Sequence, residues 1–448
     1  MRVLVGLDDH DSPEGGCTTH FATIFVRSII QDRNEVRLLS LPRLVRLNPA
    51  IPWKTRGNAA LALEVETDDP KDLFYSLVNL TEEYDREFSK GKKYGRQPGV
   101  VVLPSSHLQS VRQFYIKGLK DVVIKGDVIA KLSKLSDTYF TLNRGVIGSV
   151  SALGFAPNEG FTYELILYRK SYIERPNLDD IIKSQEEKEF PKLFFNYDYL
   201  KNVAISVPRG PDPVLIGIRG NDTISLLSVA QELVKSSSLR DVLDGAMLFV
   251  TNQHTGVHVT DTVQPRPYRS VKVRGVVLGT EIKPGGDVFM RVDSGYEVYT
   301  TVVYKETGTL ARAAQLLEIG DEIEVEAVVK PSTEYGLLLE AEAIRIVNLV
   351  DYELSNPKCP VCGGSSESLG KNKGFRCRRC GFVIKSNKVA VPKARGLTLS
   401  RYVSQRPRHL TRFDYVEVSR SEPDPKEVQD LLHKLSELFA PKAGLNFI

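Results

Sequence analysis

Val3-Leu4-Val5-Gly6-Leu7-Asp8-Asp9-His10-Asp11-Ser12-Pro13-Glu14-Gly15-Gly16-Cys17-Thr18-Thr19-His20 reads as a strand, a loop and a helix start in one run. Val3 to Leu7 is long enough for one buried strand. Three carboxylates follow within four residues, at Asp8, Asp9 and Asp11. Ser12-Pro13 and Gly15-Gly16 mark a turn. Thr18 or Thr19 supplies the N-cap of a helix whose apolar positions are Phe21, Ile24, Phe25, Ile29 and Ile30. Such a run sets oxygen ligands beside the free N–H groups of a helix start. Carboxylates suit Mg2+, and a helix N-terminus suits phosphate. One reading is a Mg-nucleotide site; the other is an acidic turn that solubilises a loop. Crowded carboxylates repel unless a cation or hydrogen bonds compensate them.

The rest of the region to about residue 170 supports an α/β domain. Trp53-Lys54-Thr55-Arg56-Gly57-Asn58 is a polar turn feeding a strand that alternates Leu61, Leu63 and Val65. Lys54, Arg56 and the glycine can approach an anion, or form a plain basic loop. Gly99 to Pro104 is a compact apolar run, hence a buried strand. Arg144-Gly145-Val146-Ile147-Gly148 mixes small and apolar residues, which serves close packing or close approach to a ligand. Residues 161–168 alternate as a strand does.

From about 171 a second α/β unit follows, with strands at Val203–Val207, Val214–Ile218 and Met247–Val250 and a helix capped by Asp222 or Thr223. This is compatible with half of a ferredoxin-like domain. Residues 252–258 carry His254 and His258 four apart, but Gly256 between them argues against a helical metal pair. They read as an interdomain loop whose polar groups can touch RNA. Val271–Leu278, Val288–Val292, Val298–Val303, a helix at Leu310–Leu317, then Glu322–Val329 and Leu337–Ile346 give three strands, a helix and two strands. That order matches an oligonucleotide-binding (OB) barrel.

Cys359-Pro360-Val361-Cys362, fourteen residues, then Cys377-Arg378-Arg379-Cys380 is the strongest signal in the chain. Two paired thiol knuckles fit tetrahedral structural zinc with no open position. Lys371, Lys373, Arg376, Arg378 and Arg379, beside Phe375 and Phe382, can grip phosphate and stack on bases. The tail beyond is basic, through Lys385, Lys388, Lys393, Arg395, Arg401, Arg406, Arg408 and Arg412. It reads either as a source of salt-sensitive phosphate contacts or as a solvated charged segment. Pro425 opens a short amphipathic helix with Val428, Leu431, Leu432, Leu435 and Leu438 on one face.

Length sets the number of modules: 448 residues hold about three or four domains. Hydrophobic content of 42% and charged content of 26% are those of an ordinary soluble protein. No run of about eighteen apolar residues exists, so no membrane span or membrane partner is expected, and no secretion signal is visible. Four of the five cysteines are clustered, which argues for a metal site in a reducing, cytoplasmic setting rather than a disulfide framework. No Ser-His-Asp set and no Walker loop is present.

Four stretches, Gly6–Ser12 with Cys17-Thr18-Thr19, Trp53–Ala60, Arg144–Gly148, and Thr251-Asn252-Gln253 with His258, resemble the archaeal tRNA(Ile) 2-agmatinylcytidine (agmatidine) synthetase family. The resemblance covers about Met1 to Cys380. It implies a kinase-like ATP-binding domain (1–170), a ferredoxin-like domain (171–265), an OB-fold (266–350), a zinc ribbon (351–392) and a basic C-terminal tail with a short helix (393–448). It implies an ATP-dependent ligase that joins agmatine to position 2 of the wobble cytidine of the minor isoleucine tRNA, through a phosphorylated base, with AMP and phosphate as the other products. By carry-over, Asp8, Asp9 and Asp11 hold Mg2+ and ATP phosphates, and Thr18 matches the family's autophosphorylated threonine. Ser12, Gly15, Gly16, Thr19, Arg56, Gly57, Asn58, Arg144 and Gly145 complete the expected phosphate site. Asn252 and the five ribbon cations form the expected tRNA contacts, and a monomer is expected. His10 departs from the family's usual threonine and reads as a hydrogen-bonding replacement. The competing reading is a non-catalytic OB-fold and ribbon protein that binds nucleic acid.

Overall fold

The computed structural model describes residues 1–31, 36–54, 57–170, 173–236, 239, 241–405 and 408–439. It divides into two units, one of Met1–Val271, Val328–Ser332 and Arg406–Ile448, the other of Lys272–Ala327 and Thr333–Gln405.

The first unit opens with β1 (Arg2–Asp8), α1 (Thr18–Gln31), β2 (Val36–Leu38), β3 (Arg43–Arg46), β4 (Ala59–Thr67) and α2 (Pro70–Tyr84). It continues through β5 (Gly99–Pro104), α3 (Leu108–Lys120), α4 (Lys125–Leu132), β6 (Tyr139–Phe140), α5 (Val146–Leu153) and β7 (Thr162–Arg169). Then come α6 (Asp179–Glu189), the small ribbon β8 (Tyr197–Asp198) and β9 (Val203–Ala204), β10 (Val214–Gly220), α7 (Thr223–Lys235), β11 (Leu243–Thr251) and β12 (Val259–Asp261). Nine strands form one sheet in the order β10-β7-β11-β3-β4-β1-β5-β6, with β2 also on β4.

The opening apolar run lies inside this sheet because both its edges and both its faces are covered. Val5 sits opposite Leu63 of β4 and Val102 of β5, and Val3, Val5 and Leu7 are fully buried. Helix α5 packs over β1, β4 and β5. A Cβ on Gly6 would lie 2.4 Å from Ser149 O, and one on Gly99 would lie 2.2 Å from Gly145 C. The small residues of 144–149 thus serve close helix–sheet packing.

Helix α1 starts at Thr18, so its capping position falls on Cys17, one residue before the expected pair. Phe21 N–H donates to Cys17 O at 3.0 Å, while the Thr18 hydroxyl accepts from His10 N at 3.2 Å. Helix α7 is capped as its sequence indicates, by Asp222 accepting from Ser225 N at 2.9 Å.

Strand β7 belongs with the strands that follow it. It lies between β10 and β11, so the sheet runs unbroken through residue 170. Alternation of residues 161–168 marks a strand but not its partners. Where β11 meets β3 the pairing is parallel, Val250 opposite Arg43 and Thr251 opposite Leu44. Directly beyond, Asn252 to Thr255 and His258 are buried rather than looped out toward RNA. The Asn252 amide accepts from Arg46 N (2.8 Å) and donates to Arg46 O (3.0 Å), continuing the ladder by one side chain. His258 donates to Arg46 O at 2.8 Å and His254 to Thr411 O at 2.8 Å. Asn252 is fully buried, so the expected tRNA contact gives way to a structural one.

Residues beyond 408 return to this unit. Ser419 pairs with Phe161, Arg43 donates to Glu422 at 3.1 Å, and the C-terminal helix Pro425–Phe439 packs on β11 and α7. It buries Val428, Leu432 and Leu435, on the face its sequence marks.

The strands β13 (Ser270–Ile282), β14 (Val288–Asp293), β15 (Val298–Val303), β16 (Glu322–Ser332) and β17 (Gly336–Asn348) form a closed barrel, with a helix at Thr309–Gln315; the second unit holds all of it but the start of β13 and the end of β16. The order is β13-β14-β15-β17-β16, closed by β16 on β13. The ribbon region holds β18 (Tyr352–Ser355), β19 (Ser366–Ser368), β20 (Phe375–Cys377), β21 (Val383–Ile384) and β22 (Val389–Pro392), and β23 (Arg401–Val403) pairs with β17.

Three of the tail's cations pair with carboxylates inside the protein, against the expectation of a phosphate-gripping or solvated segment, while Lys385, Lys388 and Arg412 are exposed. Arg395 makes two 2.7 Å bonds to Asp321, with both side chains buried. Arg401 lies 2.7 Å from Glu326 and Lys393 lies 2.6 Å from Glu318. Arg406 lies outside the described residues.

Candidate active site

β1 delivers Asp8 to its own C-terminal end, and Asp9 then takes a left-handed backbone (φ 63°) that turns the chain. The loop folds back on residues 84–97. Ser12 N donates to Gly15 O at 2.8 Å, and the Ser12 hydroxyl donates to Ser89 O. Cys17 N donates to the Tyr84 hydroxyl at 2.9 Å. Gly16 has φ +74°, and a Cβ there would lie 2.6 Å from Ser89 Cβ. The glycines and Ser12 therefore shape and seat this turn.

The three carboxylates have different surroundings. Asp9 is buried, accepts from Gln97 N at 2.9 Å, and lies 3.8 and 3.9 Å from Arg96 and Arg144. Among the described residues Asp8 accepts only its neighbour's N–H, from Asp9 at 2.8 Å, and its other oxygen sits over Gly148. Burial, and next the charge of Asp9, push the Asp8 carboxyl well above the usual carboxylate range. Burial also raises Asp11, with Arg96 opposing, and Asp11 Oδ1 is buried without a hydrogen-bond partner. His10 stacks on Phe21 with ring centroids 4.0 Å apart, and its Nε2 lies 3.2 Å from the Thr81 hydroxyl. Burial drives its pKa down to about 3, so the imidazole is neutral and serves packing and hydrogen bonding.

A cavity of about 350 Å³ opens against the strand end. Asp8, Asp9, Asn58, Arg144 and Gly145 of the expected set line it. Asp11, Ser12, Gly15 and Gly16 lie on the turn outside its lining. Thr18 and Thr19 are buried at the start of α1. Gly57 precedes Asn58 with φ +80°, next to Arg46, and Arg56 lies outside the described residues. Gln97 and Arg96, which hold Asp9, carry no motif that could announce them. Gly148 was visible only as a small residue; a Cβ there would fall 2.0 Å from Asp8 Oδ2.

Asp9 has two arginines within 4 Å, whereas burial raises Asp8 and Asp11 against the charge of a single arginine each, Arg144 and Arg96, so the loop fits Mg2+ better at its outer two carboxylates. The three do not make a ready three-ligand cage. Among the described residues, the four cysteines are the one such convergence, with all sulfurs within 4.8 Å. Cys359–Cys380 and Cys362–Cys377 are 3.5 and 3.6 Å apart. Tetrahedral zinc with Zn–S near 2.3 Å calls for sulfurs about 3.8 Å apart, so the set fits zinc. Lys371, Lys373, Arg376, Arg378 and Arg379 are exposed around it, with Arg378 near Glu367 at 3.5 Å. Phe382 is exposed, but Phe375 is in the ribbon's small core and is not free to stack.

An acidic loop over a ligand-sized cavity, a five-stranded barrel and a four-thiolate ribbon on one chain define a modular α/β protein with a polar cavity in its first unit and a ribbon in its second. Family models match it in three places: the TiaS TCKD domain over residues 4–144, the TiaS FLD domain over 143–258 and the TiaS C-terminal zinc ribbon domain over 356–397. The isoleucine-2 tRNA 2-agmatinylcytidine synthetase TiaS of Saccharolobus islandicus is 40% identical over 421 residues, 92% of each chain. The solved complex of TiaS with isoleucine-2 tRNA and ATP superposes with a TM-score of 0.78 at 30% identity, covering 93% of this chain and 99% of that one. The complex of TiaS with the same tRNA, AMPCPP and agmatine gives 0.76 at 28%, with the same coverage. The chain belongs to the isoleucine-2 tRNA 2-agmatinylcytidine synthetase (TiaS) family.

Proposed function

We propose that this chain uses ATP to attach agmatine to the wobble cytidine of the minor isoleucine tRNA, forming 2-agmatinylcytidine. The observation that carries this reading is the match over nearly the whole chain to a relative in complex with its isoleucine tRNA, an ATP analogue and agmatine. The site chemistry agrees with it. A ring carbonyl oxygen is a poor leaving group, and its phosphate ester is a good one, which the amine of agmatine then displaces. Asp8 and Asp11 are the residues that would hold Mg2+ with the ATP phosphates, and that ion supplies charge neutralisation for the transferred phosphoryl group. Arg144 and Arg96 hold Asp9 in place and add positive charge where phosphate oxygens gather. Release of AMP takes two phosphoryl groups from ATP: one goes to the cytidine oxygen and leaves as phosphate when agmatine attacks, and the other goes to Thr18, the candidate phosphate acceptor, from which water removes it as a second phosphate. The ribbon cations and the barrel grip the RNA, and the anticodon loop lets a base leave its stack cheaply.

In this reading the N-terminal region is kinase-like, the following α/β region ferredoxin-like and the barrel an OB-fold. Because β7 pairs with β10 and β11, the first boundary is better drawn near residue 144 than 170. Asp8 and Asp9 on one side and Gly148 and Ser151 on the other then place the cavity between these two regions of the first unit. We place the enzyme in the cytoplasm as a monomer, in keeping with its five unpaired thiols.

The test is AMP release. With ATP, agmatine and minor isoleucine tRNA all present, the protein should release AMP. Omitting agmatine or using a tRNA without the wobble cytidine should suppress it. RNA binding with no agmatine-dependent AMP would favour the non-catalytic reading.

A further inference from the structure

The cavity has a rim unlike its floor. The floor carries the acidic pair Asp8, half-buried, and Asp9, buried. The rim carries Trp53, the chain's single tryptophan, whose side chain lines the cavity yet is 62% exposed. Its ring lies 5.9 Å from that of Tyr268. Tyr268 is itself fixed, its N–H donating to Val329 O at 2.9 Å and its carbonyl accepting from Asn48 at 2.7 Å. It also packs on Ala50, Val328 and Leu410. The indole therefore has a rigid backing and an open outer face. Beside it on the same wall is Lys54, half-buried, with Arg408 and Lys330 near enough for their charges to add to burial in lowering its pKa. An anion against this wall would offset that repulsion and favour the charged ammonium.

We propose that Trp53 and Lys54 form the clamp for the target nucleotide: the base stacks on the indole as it enters the cavity, and its flanking phosphates lie against the Lys54 wall. This rests on the RNA-modifying reading above. A flat π-face beside clustered cations is how proteins hold single-stranded nucleic acid. RNA satisfies both groups at once, because every base is flanked by phosphates. ATP does not: with its phosphates at the Asp8 floor, its adenine would reach the rim and bring no phosphate to the Lys54 wall. Stacking is blind to base identity, so Trp53 serves capture, and choice of cytosine falls to polar groups deeper in the cavity.

Because Trp53 is the only tryptophan, intrinsic fluorescence of the full-length protein reports on this one ring. Minor isoleucine tRNA bearing the wobble cytidine should change the emission at saturation. The same tRNA made abasic at that position should bind yet leave emission at its free-protein value. Trp53→Ala should raise KM for the tRNA about tenfold, and Trp53→Phe should recover most of the loss. Lys54→Gln should flatten the salt dependence of tRNA binding. Equal emission with both RNAs overturns the clamp, as does an ATP analogue alone reproducing the change. Nucleoside analysis of the same preparation separates the two readings. An agmatine adduct without base-dependent emission removes the clamp alone, and absence of the adduct removes the enzymatic reading beneath it.

Discussion

Asp8 is held where a lone carboxylate is uncomfortable. Its folded pKa is raised, so the unfolded chain loses this proton first as pH climbs. Stability then falls from the ordinary carboxylate range up to the raised native value. Asp8→Asn keeps an oxygen for the Asp9 N–H and removes the charge. The variant should melt at the same or a higher temperature than the wild type without Mg2+, with the gap widening as pH rises from about 4 through the raised native value, while AMP release is lost. A lower melting temperature at the upper end of that range would show that the charge is already compensated within the protein. The buried histidines act in the opposite sense. Burial lowers His10 and His254 to about 3 and His258 to about 4, and holds His409 well below the usual histidine range. The unfolded chain therefore takes up protons from about pH 6.5 downward and the native chain does not. With Asp8 and Asp11 opposing, the histidines outnumber them, and the melting temperature should fall between about pH 6.5 and about pH 4. At this scale the acidic run was legible, since three carboxylates in four residues need a reason. Which of them lacks a partner was not, because Arg96, Gln97 and Arg144 arrive from far along the chain.

At the level of elements, helix α5 places the site by coming close. It fits only because Gly6, Gly99, Gly145 and Gly148 leave out side chains where β1 and β5 meet the helix. Gly148→Ala would set a methyl group on the Asp8 carboxylate. It should cost about 1–3 kcal/mol in urea unfolding, as overpacking does, and should reduce turnover by far more than that loss of stability explains. Unchanged kinetics would mean that Asp8 can swing aside without consequence. The strands of the barrel were readable to within about four residues, and β16 shows the signal, alternating buried Ile323, Val325 and Ala327 with half-buried neighbours. Partnership was not readable. Strand β7 shows its alternation in sequence but not that β10 and β11 flank it. Asn252 looks like an exposed polar residue and is instead the last rung of the β11–β3 pairing.

The molecule as a whole is divided between a sheet that holds the candidate cavity and a barrel with a ribbon. The four thiolates close the ribbon around a small core of Phe375 and Ile384, too little apolar surface to fold without metal. Chelation should therefore unfold the ribbon and weaken tRNA binding, with less effect on ATP binding in the first unit. Circular dichroism and salt-dependent tRNA affinity read both, and each lost phosphate contact should reduce the salt slope by about 0.7–0.9. A chelated protein that binds tRNA as before would remove the ribbon from the RNA interface. The basic tail was misleading in sequence because charge alone does not tell a phosphate ligand from an internal partner. Arg395 and Arg401 look alike there, and each proves to be paired with a carboxylate in its own unit. The most direct test of the whole account is mass spectrometry of nucleosides after minor isoleucine tRNA is incubated with ATP, agmatine and either wild-type protein or Asp8→Asn. The account predicts a cytidine carrying one agmatine from the wild type and none from the variant. An unmodified wobble cytidine after incubation with the wild type, or equal adduct from both proteins, would contradict it.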